Sequence, residues 1–97
     1  MKTCHVCTMD ELRRVLLPTE LCSKLNWTAG RKVTAQVDQP NKFLTIHTAD
    51  DGDMQIDQLS RVALTEDICS ELGWHSGEIS IAISTDGLYL VLEQKNM

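Results

Sequence analysis

The sequence predicts a mostly β barrel with pseudo-two-fold symmetry, built from two tandem ββαββ units that each carry one short helix. Three observations predict it. First, the segment Asp10–Trp27 returns as Asp57–Trp74, with every matched residue 47 positions further on, close to half of the 97 residues. Second, apolar residues alternate with polar ones in the later part of each unit, as in half-buried strands. Third, a unit of this size buries too little apolar surface alone, so two copies must complete one core. The chain is read as one domain, 1–97, with repeat one at 4–48, a linker at 49–53 and repeat two at 54–94.

In the first copy, His5 to Met9 reads as a strand and Val15 to Leu17 as a second, shorter one. Pro18 suits the first helical position, where a missing N–H costs nothing. Leu17, Leu21 and Leu25 recur every four residues and share one helical face, and the second copy repeats that stripe as Leu64, Ile68 and Leu72. Thr65 replaces Pro18 and reads as a helix N-cap. Asn26 and Gly73 follow the stripes at equivalent positions. These two residue types most readily take the left-handed conformation that closes a helix. Trp27 and Trp74 come next and read as plugs between helix and barrel.

Alternation then takes over. Val33, Ala35 and Val37 form one face, as do Ile79, Ile81 and Ile83. Asp86-Gly87 signals a tight hairpin into Leu88, Leu90 and Leu92, whereas the first copy turns through Asp38–Asn41 toward Phe43, Leu44 and Ile46. Asp50-Asp51-Gly52-Asp53 reads as a solvated linker. It lacks the acidic run ending in a distant Glu that a calcium loop requires.

With only four aromatic residues (two Trp, one Tyr, one Phe), the core must be aliphatic. No apolar run approaches the roughly 20 residues that span a bilayer, and the N-terminus has no apolar signal core, so a cytoplasmic protein is expected. The charge is divided unevenly. Residues 1–48 hold seven Lys and Arg against four Asp and Glu. Residues 49–97 hold only Arg61 and Lys95 against ten acids, so a net −5 conceals a basic half and an acidic half. The acidic half repels nucleic acid and offers a surface to a basic protein partner; the basic half attracts phosphates.

Asp10…Arg14 and Asp57…Arg61 read as structural turn pairs. The carboxylate that opens a tight turn accepts backbone N–H groups, and an arginine four residues on closes it. Cys4-His5-Val6-Cys7 has metal-knuckle spacing, but a zinc site needs two more ligands. Cys22, Cys69, His47 and His75 are the candidates, and no second close pair exists among them. The thiols otherwise read as small hydrophobes. No nucleophile motif accompanies the histidines and no Gly-rich phosphate loop occurs, so no enzyme and no cofactor are expected.

The segment Met9-Asp10-Glu11-Leu12-Arg13-Arg14-Val15-Leu16-Leu17-Pro18-Thr19-Glu20-Leu21 resembles the AbrB/SpoVT/MazE group of swapped-hairpin barrels, whose pattern is Asp-Glu-Leu-Gly-Arg-Val, two apolar residues, Pro, one residue, Glu-Leu. Ile56 to Trp74 follows the pattern less fully in the same register, and the tandem arrangement resembles the MraZ proteins. The resemblance implies a swapped-hairpin (AbrB-like) barrel and transcription regulation through DNA binding by basic residues. It also implies departures. The arginine of the first strand falls at Cys7 and Met54, and the arginine pair after Glu-Leu falls at Cys22-Ser23 and Cys69-Ser70. Only Arg14 and Arg61 are kept. DNA contact is therefore expected from Arg13, Arg14, Lys24, Arg31 and Lys32, lopsided toward the first copy and weak, because phosphate neutralisation dominates affinity. Arg13 is the first choice, since it replaces the family's glycine at an exposed turn. The alternative is an antitoxin-like or adaptor protein-interaction module that has lost DNA binding. One chain is expected to close the barrel, and further oligomerisation is left open.

Overall fold

The computed structural model describes residues 5–39 and 42–94. The chain forms β1 (His5–Met9), β2 (Arg14–Leu16), α1 (Thr19–Leu25), β3 (Lys32–Asp38), β4 (Phe43–Thr48), β5 (Met54–Gln55), β6 (Arg61–Ala63), α2 (Glu66–Leu72), β7 (Gly77–Ile83) and β8 (Leu90–Glu93). The fold is mostly β. The eight strands make one antiparallel sheet in the order β5-β3-β4-β8-β7-β1-β2-β6. A bridge between Ile56, just past β5, and Val62 of β6 brings the two ends of the sheet together into a nearly closed barrel.

Most of the pairing crosses the middle of the sequence. β1 pairs with β7 along its length, from His5 opposite Ile81 to Met9 opposite Gly77. β3 pairs with β5, β4 with β8 and β2 with β6. Neither half of the chain could satisfy its strand edges from its own residues.

The inward positions are aliphatic, as the shortage of aromatics requires. Val15, Val33, Leu44, Ile46, Val62, Ile79, Leu90 and Leu92 are fully buried, and Met9, Ile56 and Ile81 nearly so. Leu21 and Leu72 bury the helices against this core, with Cys22 and Cys69 beside them. Leu25 and Ile68 pack on it only in part. Trp27 and Trp74 are buried at the helix ends.

Both helices end alike. Asn26 (φ 58°) and Gly73 (φ 70°) take the left-handed conformation. The N–H groups of Trp27 and Trp74 reach back to the carbonyls of Cys22 and Cys69 at 2.9 and 3.0 Å. These are the bonds that satisfy the orphan carbonyls of a helix C-terminus.

Four details differ from the sequence expectation. The second strand is Arg14–Leu16, and Leu17 lies just beyond it, buried. Pro18 (ψ 133°) occupies the cap position rather than the first helical one. Its carbonyl accepts from the N–H groups of Leu21 and Cys22, while Thr65 caps α2 through its hydroxyl. The 84–89 connection is a six-residue loop, so Leu88 lies at its tip, 69% exposed, instead of facing the core. Residues 49–52 are a turn docked on β3: the Ala49 N–H donates to the Lys32 carbonyl at 3.1 Å, and Gly52 lies against the Val33 backbone.

None of the described helices is long and apolar enough to cross a membrane.

Candidate nucleic-acid interface

The two Asp-x-x-x-Arg turns are built identically. In the first, Asp10 Oδ1 accepts the N–H groups of Leu12 and Arg14, both at 2.9 Å, while Arg14 Nε donates to Asp10 Oδ2 at 2.6 Å. In the second, Asp57 Oδ1 accepts from Leu59 and Arg61 at 2.9 and 2.8 Å, and Arg61 Nε donates to Asp57 Oδ2 at 2.8 Å. The Arg14 backbone N–H, then its guanidinium and the Leu12 N–H, hold the Asp10 carboxyl below the usual aspartate range against some desolvation. Desolvation acts upward on Asp57, but the same three kinds of bond from Arg61 and Leu59 outweigh it, and its carboxyl is lowered as well. Arg14 is therefore engaged within its own turn and only half free for a phosphate.

Arg13 is engaged differently. Its backbone is left-handed (φ 63°), the conformation for which a glycine would be the natural choice. Its Nε donates to the Leu64 carbonyl at 3.2 Å, at the entrance to α2. The guanidinium also reaches the surroundings of Cys69, whose thiol is pushed up by burial and drawn partly back by that charge. Arg13 is thus half-buried against the second copy, not an unencumbered surface cation.

Lys24, Arg31 and Lys32 are exposed, and none of the three ion pairs among the described residues involves them. Lys24 stands in the last turn of α1, where a cation complements the helix dipole. Arg31 and Lys32 begin β3: the Arg31 carbonyl accepts the Ile56 N–H at 3.0 Å, and Lys32 lies opposite Gln55. The Lys32 carbonyl also holds the docked turn that bears Asp50 and Asp51. The five basic residues thus fall into separate groups. Arg13 lies at the entrance to α2, Arg14 in its own turn beside β6, Arg31 and Lys32 beside β5, and Lys24 on α1.

The outward positions of the first strands hold no cation. Val6 and Thr8 face out from β1 and Gln55 from β5, while Cys7 and Met54 face the core. The Cys7 thiol, pushed up to about 11 by burial, donates to the Ile79 carbonyl at 3.5 Å. Cys4, the other half of the metal-knuckle spacing, lies outside the described residues. Among the described residues no group of three or more His, Cys, Asp or Glu side chains comes together.

One surface feature escaped the sequence reading. Val6 of β1, Leu16 of β2 and Leu59 before β6 are 64%, 50% and 63% exposed, and all three line a single outer groove of about 320 Å³. Comparing the two copies position by position would have exposed it, because Val6 is matched by Asp53 and Leu16 by Ala63.

No family model matches the chain, and neither a curated protein nor a solved structure matches it.

Proposed function

We propose that this chain is a swapped-hairpin barrel of two tandem copies and that it acts as a DNA-binding transcription regulator with a lopsided, weak grip. The observation that carries this reading is a charge inversion between equivalent positions. Lys24 of the first copy is matched by Glu71 of the second, and Lys32, opposite Gln55, is matched in the sheet register by Glu78, opposite Thr8; all four charged side chains are exposed. The first copy offers Lys24, Arg31 and Lys32 to phosphates, and the second copy carries acids at the places of Lys24 and Lys32. The identical turns at Asp10 and Asp57 and the identical helix closings at Asn26 and Gly73 support the two-copy reading.

The test is a titration with generic duplex DNA across salt concentrations. Three phosphate contacts give a log–log salt slope of about −3. Lys24→Glu with Arg31→Glu should abolish binding, while Glu71→Gln with Glu78→Gln should leave it intact or tighten it. No binding by the parent at low salt overturns the reading.

A second reading, an adaptor that binds protein and not DNA, is favoured by the acidic turn docked beside Lys32 and by Arg14 being held in its own turn. Absence of DNA binding at low salt would select it.

A further inference from the structure

Of the four aromatic residues, Trp27 and Trp74 are buried in the core, and Phe43 and Tyr89 are left to the outer face of the sheet. These two hold equivalent places. In the first hairpin Asp38 lies opposite Phe43 and Gln36 opposite Thr45. In the second, Ala82 lies opposite Val91, and the Ser84 N–H donates to the Tyr89 carbonyl at 2.9 Å. β4 meets β8 with Thr45 opposite Val91. Exchanging the two hairpins about that pair carries Phe43 onto Tyr89, Gln36 onto Ala82 and His47 onto Glu93.

Each ring is half-buried and lines an outer groove. Tyr89 lines one of about 400 Å³ with Gln36, Val37, Asp38, Thr45 and His47. Phe43 lines its twin, of about 280 Å³, where Ala82 and Val91 stand at the places of Gln36 and Thr45. The same backbone therefore accepts apolar side chains where the first groove carries an amide and a hydroxyl. Folding does not require the polar lining of the Tyr89 groove. A concave surface with a few convergent polar groups is the form of a small-ligand site.

The lining selects the ligand. Gln36 offers an amide, His47 a ring nitrogen, Tyr89 a hydroxyl and Asp38 a carboxylate. Thr45 Oγ1 donates to the Gln36 carbonyl at 3.3 Å and keeps its lone pairs to accept. Among the described residues no lysine or arginine lines the groove, so the Asp38 carboxylate disfavours a phosphate or another anion. An extended peptide that binds through its backbone needs a free sheet edge, and β3, β4 and β8 each have a neighbour on both sides. A wholly apolar ligand would leave the polar groups without partners. The ligand that fits is uncharged, rich in hydroxyls and able to lay an apolar face on the Tyr89 ring. A sugar ring has all three properties. By the sheet register Asp38 and Tyr89 lie two strands and four residues apart, roughly 16 Å, so the groove is longer than one ring.

We propose that the Tyr89 groove binds a neutral oligosaccharide. One ring stacks on Tyr89, and hydroxyl groups along the chain are held by His47, Thr45, Gln36 and Asp38. None of Lys24, Arg31 and Lys32 lines this groove, so the site stands or falls separately from the DNA reading.

NMR titration of the isotope-labelled chain with maltose, cellobiose, lactose and chitobiose tests it. At least one should shift the amides around Gln36, Thr45, His47 and Tyr89 in a saturable way. Tyr89→Ala should weaken that binding by about tenfold or more, and Tyr89→Phe should retain it. Gln36→Ala with Thr45→Val imports the residues of the twin groove, so the variant should fold. Its near-ultraviolet circular dichroism, from the buried Trp27 and Trp74, should match the parent's while the sugar no longer binds. Phe43→Ala, in the twin groove, should leave binding unchanged. A phosphorylated form of the same sugar should bind no more tightly than the neutral one. The proposal is overturned if none of the four disaccharides binds, if the folded double variant binds like the parent, if Phe43→Ala abolishes binding, or if the phosphorylated sugar binds more tightly.

Discussion

The backbone N–H of Leu64 donates to the carbonyl of Arg13 at 2.8 Å, tying the tip of the first turn to the entrance of the second helix. The converse bond also exists: the N–H of Leu17, before α1, donates to the carbonyl of Ser60 at 2.9 Å. Arg13 and Ser60 both have φ 63°, and this left-handed backbone sits at the tip of each turn where the carbonyl is presented. Each turn therefore braces the helix of the other half. Because Leu17 and Leu64 are both buried, leaving either N–H unpaired would cost about 1–3 kcal/mol.

Leu21→Ala should cost about 2–5 kcal/mol, since Leu21 is a fully enclosed helix residue beneath the sheet. Ile68 holds the equivalent place in α2 but is only partly buried, so Ile68→Ala should cost less, about 1–2 kcal/mol. Urea denaturation of the two variants measures the difference. Equal losses would mean that the two helices seat alike.

Acid should weaken the fold through the two turns. Asp10 and Asp57 have carboxyls lowered in the folded state relative to the unfolded chain. Their contribution is therefore complete above the ordinary aspartate value and is lost as pH falls through the lowered folded values. Stability measured from neutral pH into this acidic window should decline. Asp10→Asn together with Asp57→Asn should flatten that part of the decline. An unchanged acid limb in the double variant would place the titrating groups elsewhere.

Period-two alternation and four-residue stripes made the long strands and both helices legible, because these patterns are local, although Leu17 and Leu64, the first residue of each stripe, lie before the helices. The closings at Asn26 and Gly73 were legible because one backbone requirement recurs under two different side chains. What escaped depends on longer range. Alternation carried Leu88 into the core only because the six-residue loop at 84–89 was not visible from Asp86-Gly87 alone. Pro18 fits both cap and first turn by its φ, and only its ψ of 133° decides. The site was legible as a set of cations and not as a surface. That Arg13 reaches the Leu64 carbonyl, 51 residues away, follows from packing between the halves.

Gly52→Ala should destabilise the chain by about 1–3 kcal/mol, although the residue stands in an acidic, half-exposed turn. A Cβ there would lie 2.4 Å from the Val33 carbonyl oxygen, and backbone cannot yield as a flexible side chain does. The turn would have to lift from β3, loosening the Ala49-to-Lys32 bond. Thermal unfolding of the variant, beside Asp51→Ala as a control in the same turn, measures it. A Gly52→Ala protein as stable as the control would show that the turn is not held on Val33.

Substituting glycine at the two turn tips should separate backbone strain from side-chain bonding. Both tips adopt a conformation that costs an L-residue roughly 1–2 kcal/mol and glycine nothing, while glycine returns about 0.5–1 kcal/mol of that through the entropy of the unfolded chain. At Ser60 the described bonds use only the backbone: its N–H donates to the Asp57 carbonyl and its own carbonyl accepts from Leu17. Ser60→Gly should therefore stabilise the fold by about 0.5 kcal/mol. At Arg13 the same relief is set against the lost bond from Nε to the Leu64 carbonyl, worth about 0.5–1.5 kcal/mol net, so Arg13→Gly should be neutral or slightly destabilising. Arg13→Val keeps neither advantage, since a β-branched residue is strained at this φ, and it should be the least stable of the three. The ranking Ser60→Gly above Arg13→Gly above Arg13→Val can be read from denaturation midpoints. If Arg13→Gly proves as stabilising as Ser60→Gly, the guanidinium does not support the fold, and Arg13 regains its place as a free cation for phosphate.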